Sequence, residues 1–197
     1  MLYFIIYKPY GMLSQFTRET PDQRTLADLE HRFPPDVYPV GRLDADSEGL
    51  LLLTNDKSLN ARLLDPEKAH PRTYWVQVEG IPDDAALEQL RGGVNIRIDG
   101  KMYSTRPALA RRLPGAPDLP ARTPPVRFRK TVPDTWLELT LTEGKNRQVR
   151  RICAAVGFPV LRLVRVGIGR LSWENLRLQP GEVRTLTAGE LHKLGVH

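Results

Sequence analysis

Three carboxylates stand at alternate positions in Gly41-Arg42-Leu43-Asp44-Ala45-Asp46-Ser47-Glu48-Gly49, a grouping that admits three kinds of chemistry. The first is calcium binding, since Asp44-x-Asp46-x-Glu48 imitates the start of an EF-hand loop. The twelfth position, however, is Asn55 where a bidentate Glu is required, and Leu50, Leu51, Leu52 and Leu53 put apolar groups where ligands belong. The second is a magnesium-holding carboxylate pair for phosphodiester cleavage, which needs further acids that no pattern in the chain identifies. The third is one carboxylate acting alone as a nucleophile, kept ionised by an arginine in a cleft that excludes water. A solvated acidic turn ahead of a strand fits the same spacing. With a single cysteine, Cys153, and four histidines, no internal disulfide or Cys-rich zinc site can form, and a reducing compartment is expected.

Hydrophobic periodicity outlines the elements that must position these residues. Residues 2–7 read as a buried strand stopped by the turn signature Lys8-Pro9-Tyr10-Gly11. Thr25 is placed to cap a short helix with Leu26, Leu29 and Phe33 on one face, ended by Pro34-Pro35. Residues 50–54 form another buried strand, and Asn55-Asp56 caps a helix with Leu59 and Leu63 on one side. That closes a first lobe of about residues 1–66, leaving 67–197 as the second. There Tyr74, Val76 and Val78 alternate with Trp75, Gln77 and Glu79, Pro82-Asp83 opens a helix that Gly92-Gly93 ends, and Val94, Ile96 and Ile98 alternate again. Leu137, Leu139 and Leu141 give the cleanest strand. Residues 111–133, rich in proline and arginine, read as a long loop that contacts substrate. After Gly144, Val149, Ile152, Cys153 and Val156 form a helical apolar stripe, opposite Arg147 and Arg151. Arg150 falls at the edge of that stripe, where its guanidinium can face a cleft and meet a carboxylate. Cys153 lies on the buried side and reads as core.

Charge sharpens the picture. The net charge is +6 with a pI near 9.7, but residues 101–132 carry eight Lys/Arg against one acid, Asp118, and residues 145–173 carry seven against none. The rest of the chain is net acidic, so the positive charge is concentrated in two stretches suited to a polyanion. The longest apolar runs fall well short of the roughly 18 residues of a membrane span. The N-terminus lacks a basic leader and a small-residue cleavage site, so a cytoplasmic protein without membrane contact is expected.

Four motifs in order carry a resemblance. Gly41-Arg42-Leu43-Asp44 followed by Ser47-Glu48-Gly49-Leu50-Leu51-Leu52-Leu53-Thr54-Asn55 resembles the catalytic motif of the RsuA/RluB/RluE/RluF branch of RNA pseudouridine synthases. Lys8-Pro9-x-Gly11, Thr73-Tyr74-x-Val76 and Glu143-Gly144-x-Asn146-Arg147-Gln148-Val149-Arg150-Arg151 match the other motifs, and Gly157-Phe158-Pro159-Val160-Leu161-x-Leu163-x-Arg165 follows as in that family. The likeness runs from about residue 4 to about residue 175. The segment from Tyr10 to Thr17 and the Pro124-Pro125-Val126-Arg127-x-Arg129-Lys130 loop resemble the E-type members most. The chain starts almost at its first catalytic motif, so no S4-like RNA-binding domain is expected.

The resemblance implies an α+β fold, a largely antiparallel sheet flanked by helices, with two lobes about a central basic cleft in a single catalytic domain. It implies isomerisation of a uridine of 23S rRNA, or of its assembly intermediate, to pseudouridine, a reaction that changes neither composition nor redox state and so requires no cofactor; no metal and a monomer are expected. It assigns Asp44 as nucleophile, Arg150 as its cationic partner and Tyr74 as the ring that stacks on uracil; without it, Tyr74 reads as core packing. Because a uridine within folded RNA cannot present C1′ or C6 to a carboxylate, the nucleotide must be flipped. Arg42, beside the nucleophile, is the residue to contact phosphate or fill the vacated stack, unless it pairs with Asp46 or Glu48. Lys8, Arg147, Arg151, Arg162, Arg165, Arg127, Arg129 and Lys130 are expected along the RNA backbone. A sister synthase with another target uridine, and a non-catalytic RNA-binding assembly factor, are the alternatives.

Overall fold

Short strands and helices alternate along the chain, as frequent prolines and glycines require. A computed structural model describes residues 1–68, 70–127, 129 and 131–195. In chain order its elements are β1 (Tyr3–Lys8), β2 (Tyr38–Pro39), β3 (Glu48–Thr54), α1 (Lys57–Leu64), β4 (Arg72–Glu79), α2 (Asp84–Gly92), β5 (Asn95–Ile98), β6 (Lys101–Ser104) and β7 (Leu109–Arg112). There follow β8 (Asp134–Leu141), α3 (Gln148–Ala155), β9 (Val160–Ile168), β10 (Leu171–Ser172), α4 (Trp173–Leu176), β11 (Val183–Thr185) and α5 (Ala188–Lys193). Sheets with separate helices give the α+β class that the sequence implied. The chain forms two compact units, Met1–His70 with Val164–His197, and Pro71–Leu163.

In the first unit β1 lies between β3 and β11, antiparallel to both, with registers from Tyr3↔Thr54 to Lys8↔Gly49 and from Phe4↔Thr185 to Ile6↔Val183. The β11 pairing places residues 164–197 in this unit rather than in the second lobe expected from the sequence. β3 pairs in parallel with β9 at Glu48↔Val164 and Gly49↔Arg165. Ile5, Ile6, Tyr7 and Leu50 to Leu53 are all buried, which is why β1 and β3 read as continuous apolar runs rather than alternations. Asp56 caps α1 by accepting the amides of Ser58 and Leu59, and Leu59 and Leu63 face the core. The helix expected after Thr25 is a single 3-10 turn, Leu26–Asp28, because Leu29 is already extended (φ −71°, ψ 147°). Phe33 instead meets Phe4 edge-on, ring centroids 5.4 Å apart, and packs on Phe16.

In the second unit β4 pairs antiparallel with β8 along its whole length, from Arg72↔Leu141 to Glu79↔Asp134, and β7 pairs with the other edge of β8. Val76, Val78, Leu137, Leu139 and Leu141 form one core with Leu87 and Leu90 of α2 and Val149, Ile152 and Cys153 of α3. β5 and β6 make a hairpin whose Asp99-Gly100 turn has positive φ at both residues (48° and 79°), the geometry of a two-residue hairpin turn. Residues 113–133 carry no strand or helix among the described residues, leaving the long loop expected there, while Arg111 and Arg112 belong to β7. Among the described residues no helix is long and apolar enough to cross a membrane.

Candidate active site

The turn that carries Asp44 lies in the first unit. Ser47 donates its amide to the Asp44 carbonyl (3.0 Å), folding residues 44–47 into a turn that feeds β3. Asp44 is half-buried, and Ser47 and Glu48 are buried. At the strand's start Gly49 has φ 105°, and a Cβ there would stand 2.3 Å from the Arg165 carbonyl oxygen. Only glycine lets β3 approach β9 at this point. From the other side, the segment after β1 grips the same turn: Gly11 donates its amide to the Ala45 carbonyl at 2.7 Å.

Lys8 departs from the sequence expectation. It is fully buried, so it does not follow an RNA backbone on the surface; its Nζ donates to the carbonyls of Pro9 (2.8 Å), Met12 (2.6 Å) and, at 3.5 Å, Ala45. Burial pulls its ammonium down to about 7, against the upward pull of Glu48, Asp46 and Asp44, while Arg165 pushes the same way as burial. Sequence could not show this, because Lys8 follows an apolar strand just where a polar turn begins. Arg165 is likewise buried, with Nε donating to the Leu50 carbonyl at 2.8 Å. It braces the β3–β9 junction instead of offering a surface contact. Arg42 is exposed and donates through Nη2 to Gln15 Oε1 (3.1 Å).

The second unit holds the remaining candidates. Tyr74 is half-buried on β4, opposite Leu139, and packs against the core cluster. Arg150 is half-buried on α3, and Val149, Ile152 and Cys153 take the buried face as the apolar stripe required. Burial pushes the Cys153 thiol up to about 12, partly opposed by Arg150, which fits a core residue and not a nucleophile. Arg147, exposed, opens α3 in the left-handed conformation (φ 50°, ψ 31°) without a side-chain cap. Arg151 Nη1 donates to the Arg97 carbonyl and Nη2 to Asn146 Oδ1 (2.9 Å), so its guanidinium ties α3 to β5. Arg162 is buried, with Nη2 on the Pro120 carbonyl (2.8 Å), and anchors the long loop rather than lying open to phosphate. Arg127 is exposed; Arg129 is exposed and lies 3.8 Å from Glu79 Oε1; Lys130 lies outside the described residues.

Two buried residues to which the sequence reading gave no separate role are joined just ahead of α3, where Arg147 provides no side-chain cap. Gln148 accepts the Lys145 amide (2.9 Å) and donates to Glu143 Oε1 (2.6 Å), which also accepts the Arg106 amide (2.8 Å). Tyr103 donates its hydroxyl to Glu143 Oε2 at 2.5 Å. Burial raises the Glu143 carboxyl, but these hydrogen bonds outweigh it and hold the group below its ordinary range. The available signal was Gln148 falling next to Val149 on the helix's buried side.

The family model described as RNA pseudouridylate synthase matches residues 2–155. The chain belongs to that family. This pseudouridine synthase is 59% identical over 181 residues to a protein of Xanthomonas campestris pv. campestris named ribosomal large subunit pseudouridine synthase E, covering 91% of this chain and 92% of that one. It is 50% identical to the protein of that name from Vibrio vulnificus (93% and 74% covered) and 36% identical to ribosomal large subunit pseudouridine synthase B of Bacillus subtilis (98% and 71%). A solved structure titled as a pseudouridylate synthase superposes with a TM-score of 0.78 at 29% identity, covering 98% of this chain and 73% of that one. The fold and enzyme class expected from the motifs are therefore those of the synthase. Among the described residues no three His, Cys, Asp or Glu side chains group so as to hold a metal ion.

Proposed function

We propose that this synthase converts one uridine of large-subunit (23S) rRNA, or of its assembly intermediate, to pseudouridine, working in the cytoplasm as a monomer with residues 1–197 as one catalytic domain. The observation that carries this reading is the 59% identity to a synthase named for the large ribosomal subunit, across nearly the full length of both chains. The reaction breaks the N1–C1′ bond and forms a C5–C1′ bond. C5 loses a proton and N1 gains one, so composition and redox state are unchanged and no cofactor is needed.

Asp44 is the nucleophile, attacking ribose C1′ or uracil C6. Either attack requires an ionised carboxylate, and Arg150 supplies the counter-charge that favours ionisation against burial. Tyr74 stacks on the uracil and assists removal of the C5 proton. Arg42 leaves Gln15 to hold phosphate or fill the space of the flipped nucleotide. The exposed Arg127, Arg129 and Arg147 meet the RNA backbone, so affinity falls as salt rises. The turn held around Asp44 and the bracing of α3 under Arg150 support these roles, since both groups need fixed geometry.

Mapping pseudouridines in 23S rRNA from a deletion strain tests the reading. One site is expected to vanish and to return when the gene is restored. Loss of a site in another RNA, or of none, would overturn the assignment.

A further inference from the structure

Ser14 lies outside every motif assigned a role above, yet it is buried (3% exposed) and its hydroxyl serves one residue twice. Its Oγ donates to the Leu43 carbonyl (2.8 Å) and accepts the Leu43 amide (3.0 Å). Leu43, also buried, directly precedes Asp44. A hydroxyl that satisfies both backbone groups of one residue holds that peptide's orientation as a strand partner would, though no strand pairs with the chain here. The neighbouring Gln15 takes Arg42 through its side chain. Consecutive residues 14 and 15 thus hold residues 43 and 42, in a clamp next to the grip of Gly11 on Ala45 and the Ser47 amide on the Asp44 carbonyl.

A turn of this kind needs such a clamp. The Asp44 carboxylate is carried on a loop, and loops are the least rigid part of a scaffold. Without Ser14, the peptide groups of Leu43 would be left buried and unsatisfied, and the backbone would rotate to find other partners or water. A shift of about 1 Å at a reacting group is enough to cost about a hundredfold in rate.

We propose that Ser14 is a positioning residue for the nucleophile: through the backbone of Leu43 it sets the direction in which Asp44 points. The inference rests on the reading of Asp44 as nucleophile. Ser14 does not touch substrate, so its loss acts on turnover and not on RNA binding.

The test uses the full chain and an rRNA fragment containing the mapped target uridine, and measures kcat and KM for Ser14→Ala, Ser14→Thr and Thr54→Val. Thr54 is a matched control. Its buried hydroxyl also donates to a carbonyl, that of Leu2 (2.6 Å), and accepts an amide, that of Asp56 (3.0 Å), at the opposite end of β3 from the Asp44 turn. Ser14→Ala is expected to lower kcat about ten- to a hundredfold with KM within about twofold. Ser14→Thr, which keeps the hydroxyl, restores most of the loss, and Thr54→Val lowers melting temperature with kcat unchanged. Should Ser14→Ala yield no folded protein, Ser14→Cys, which keeps the volume and weakens both hydrogen bonds, is read by the same criteria. An unchanged kcat, a loss shared by Thr54→Val, or a loss that threonine does not restore would overturn the proposal. Asp44→Asn, assayed alongside, separates the two ideas: if it is inactive while Ser14→Ala is fully active, the clamp fails and the nucleophile stands.

Discussion

Replacing Lys8 with methionine removes a charge from the interior at nearly constant chain length. Met12 and Pro9 lose the donor to their carbonyls, and Glu48, 2% exposed, loses a neighbouring cation. Removing one partner from a buried polar cluster costs about 3–5 kcal/mol, so Lys8→Met is expected to lower unfolding free energy at pH 7 by about that amount. The pH dependence is more diagnostic. The Lys8 ammonium titrates at about 7 in the folded chain against an ordinary 10.5, so between those values the unfolded chain holds a proton that the folded one has released. Stability then rises with pH across that window. For one such group the rise is about 2 kcal/mol between pH 7 and pH 9, and Lys8→Met cannot show it. Urea denaturation of both proteins at the two pH values measures the difference. The advantage of the native chain over Lys8→Met should grow by about 2 kcal/mol on going to pH 9. An advantage that stays constant or shrinks would mean that the carbonyl cage keeps Lys8 charged despite its burial, and would refute the reasoning.

Two further outcomes follow from the same geometry. Gly49→Ala, which combines a positive φ with a Cβ 2.3 Å from a backbone oxygen, should lose about 3 kcal/mol or more of stability and separate β3 from β9, read as a fall in melting temperature with reduced amide protection at Val164 and Arg165. Asp56→Ala should cost about 1–2 kcal/mol through the lost α1 cap. In the native chain the Ser58 hydroxyl, the Leu59 amide and the Tyr3 hydroxyl outweigh burial and hold Asp56 at about 2, below its ordinary 3.8. Its contribution is therefore complete above that ordinary value and fades as pH falls through 2, a loss that the variant lacks in acid titrations of stability.

Much of the frame was legible before any coordinates. The alternation of Leu137, Leu139 and Leu141 in β8, the Asp56 cap of α1 and the buried stripe of α3 appear as their residue patterns require, because each is specified locally; β4 forms where expected, but Trp75 to Val78 are all buried. What escaped depends on distant partners. β9 offers no clean alternation because Val164, Arg165 and Val166 are all buried, and β11 is three residues whose partner, β1, lies at the other end of the chain. Thr25 does act as a cap, with a full capping box, but only of a 3-10 turn, since the chain is extended from Leu29 and Phe33 packs on Phe4 and Phe16. The candidate site divides in the same way. Asp44, Tyr74 and Arg150 could be named from motifs, whereas the burial of Lys8, Arg162 and Arg165 could not. Lys8 adjoins the Pro9 turn, whereas Arg162 and Arg165 interrupt an apolar strand, and only the fold shows all three donating to backbone carbonyls.

The account stands on a single carboxylate, and exchanging it for an amide of the same shape is the most direct test. Asp44→Asn should bind the target rRNA fragment within about threefold of the native affinity and form no detectable pseudouridine, even in single-turnover reactions with enzyme in excess. Pseudouridine formed by that variant within about tenfold of the native rate would contradict the assignment of Asp44 as nucleophile.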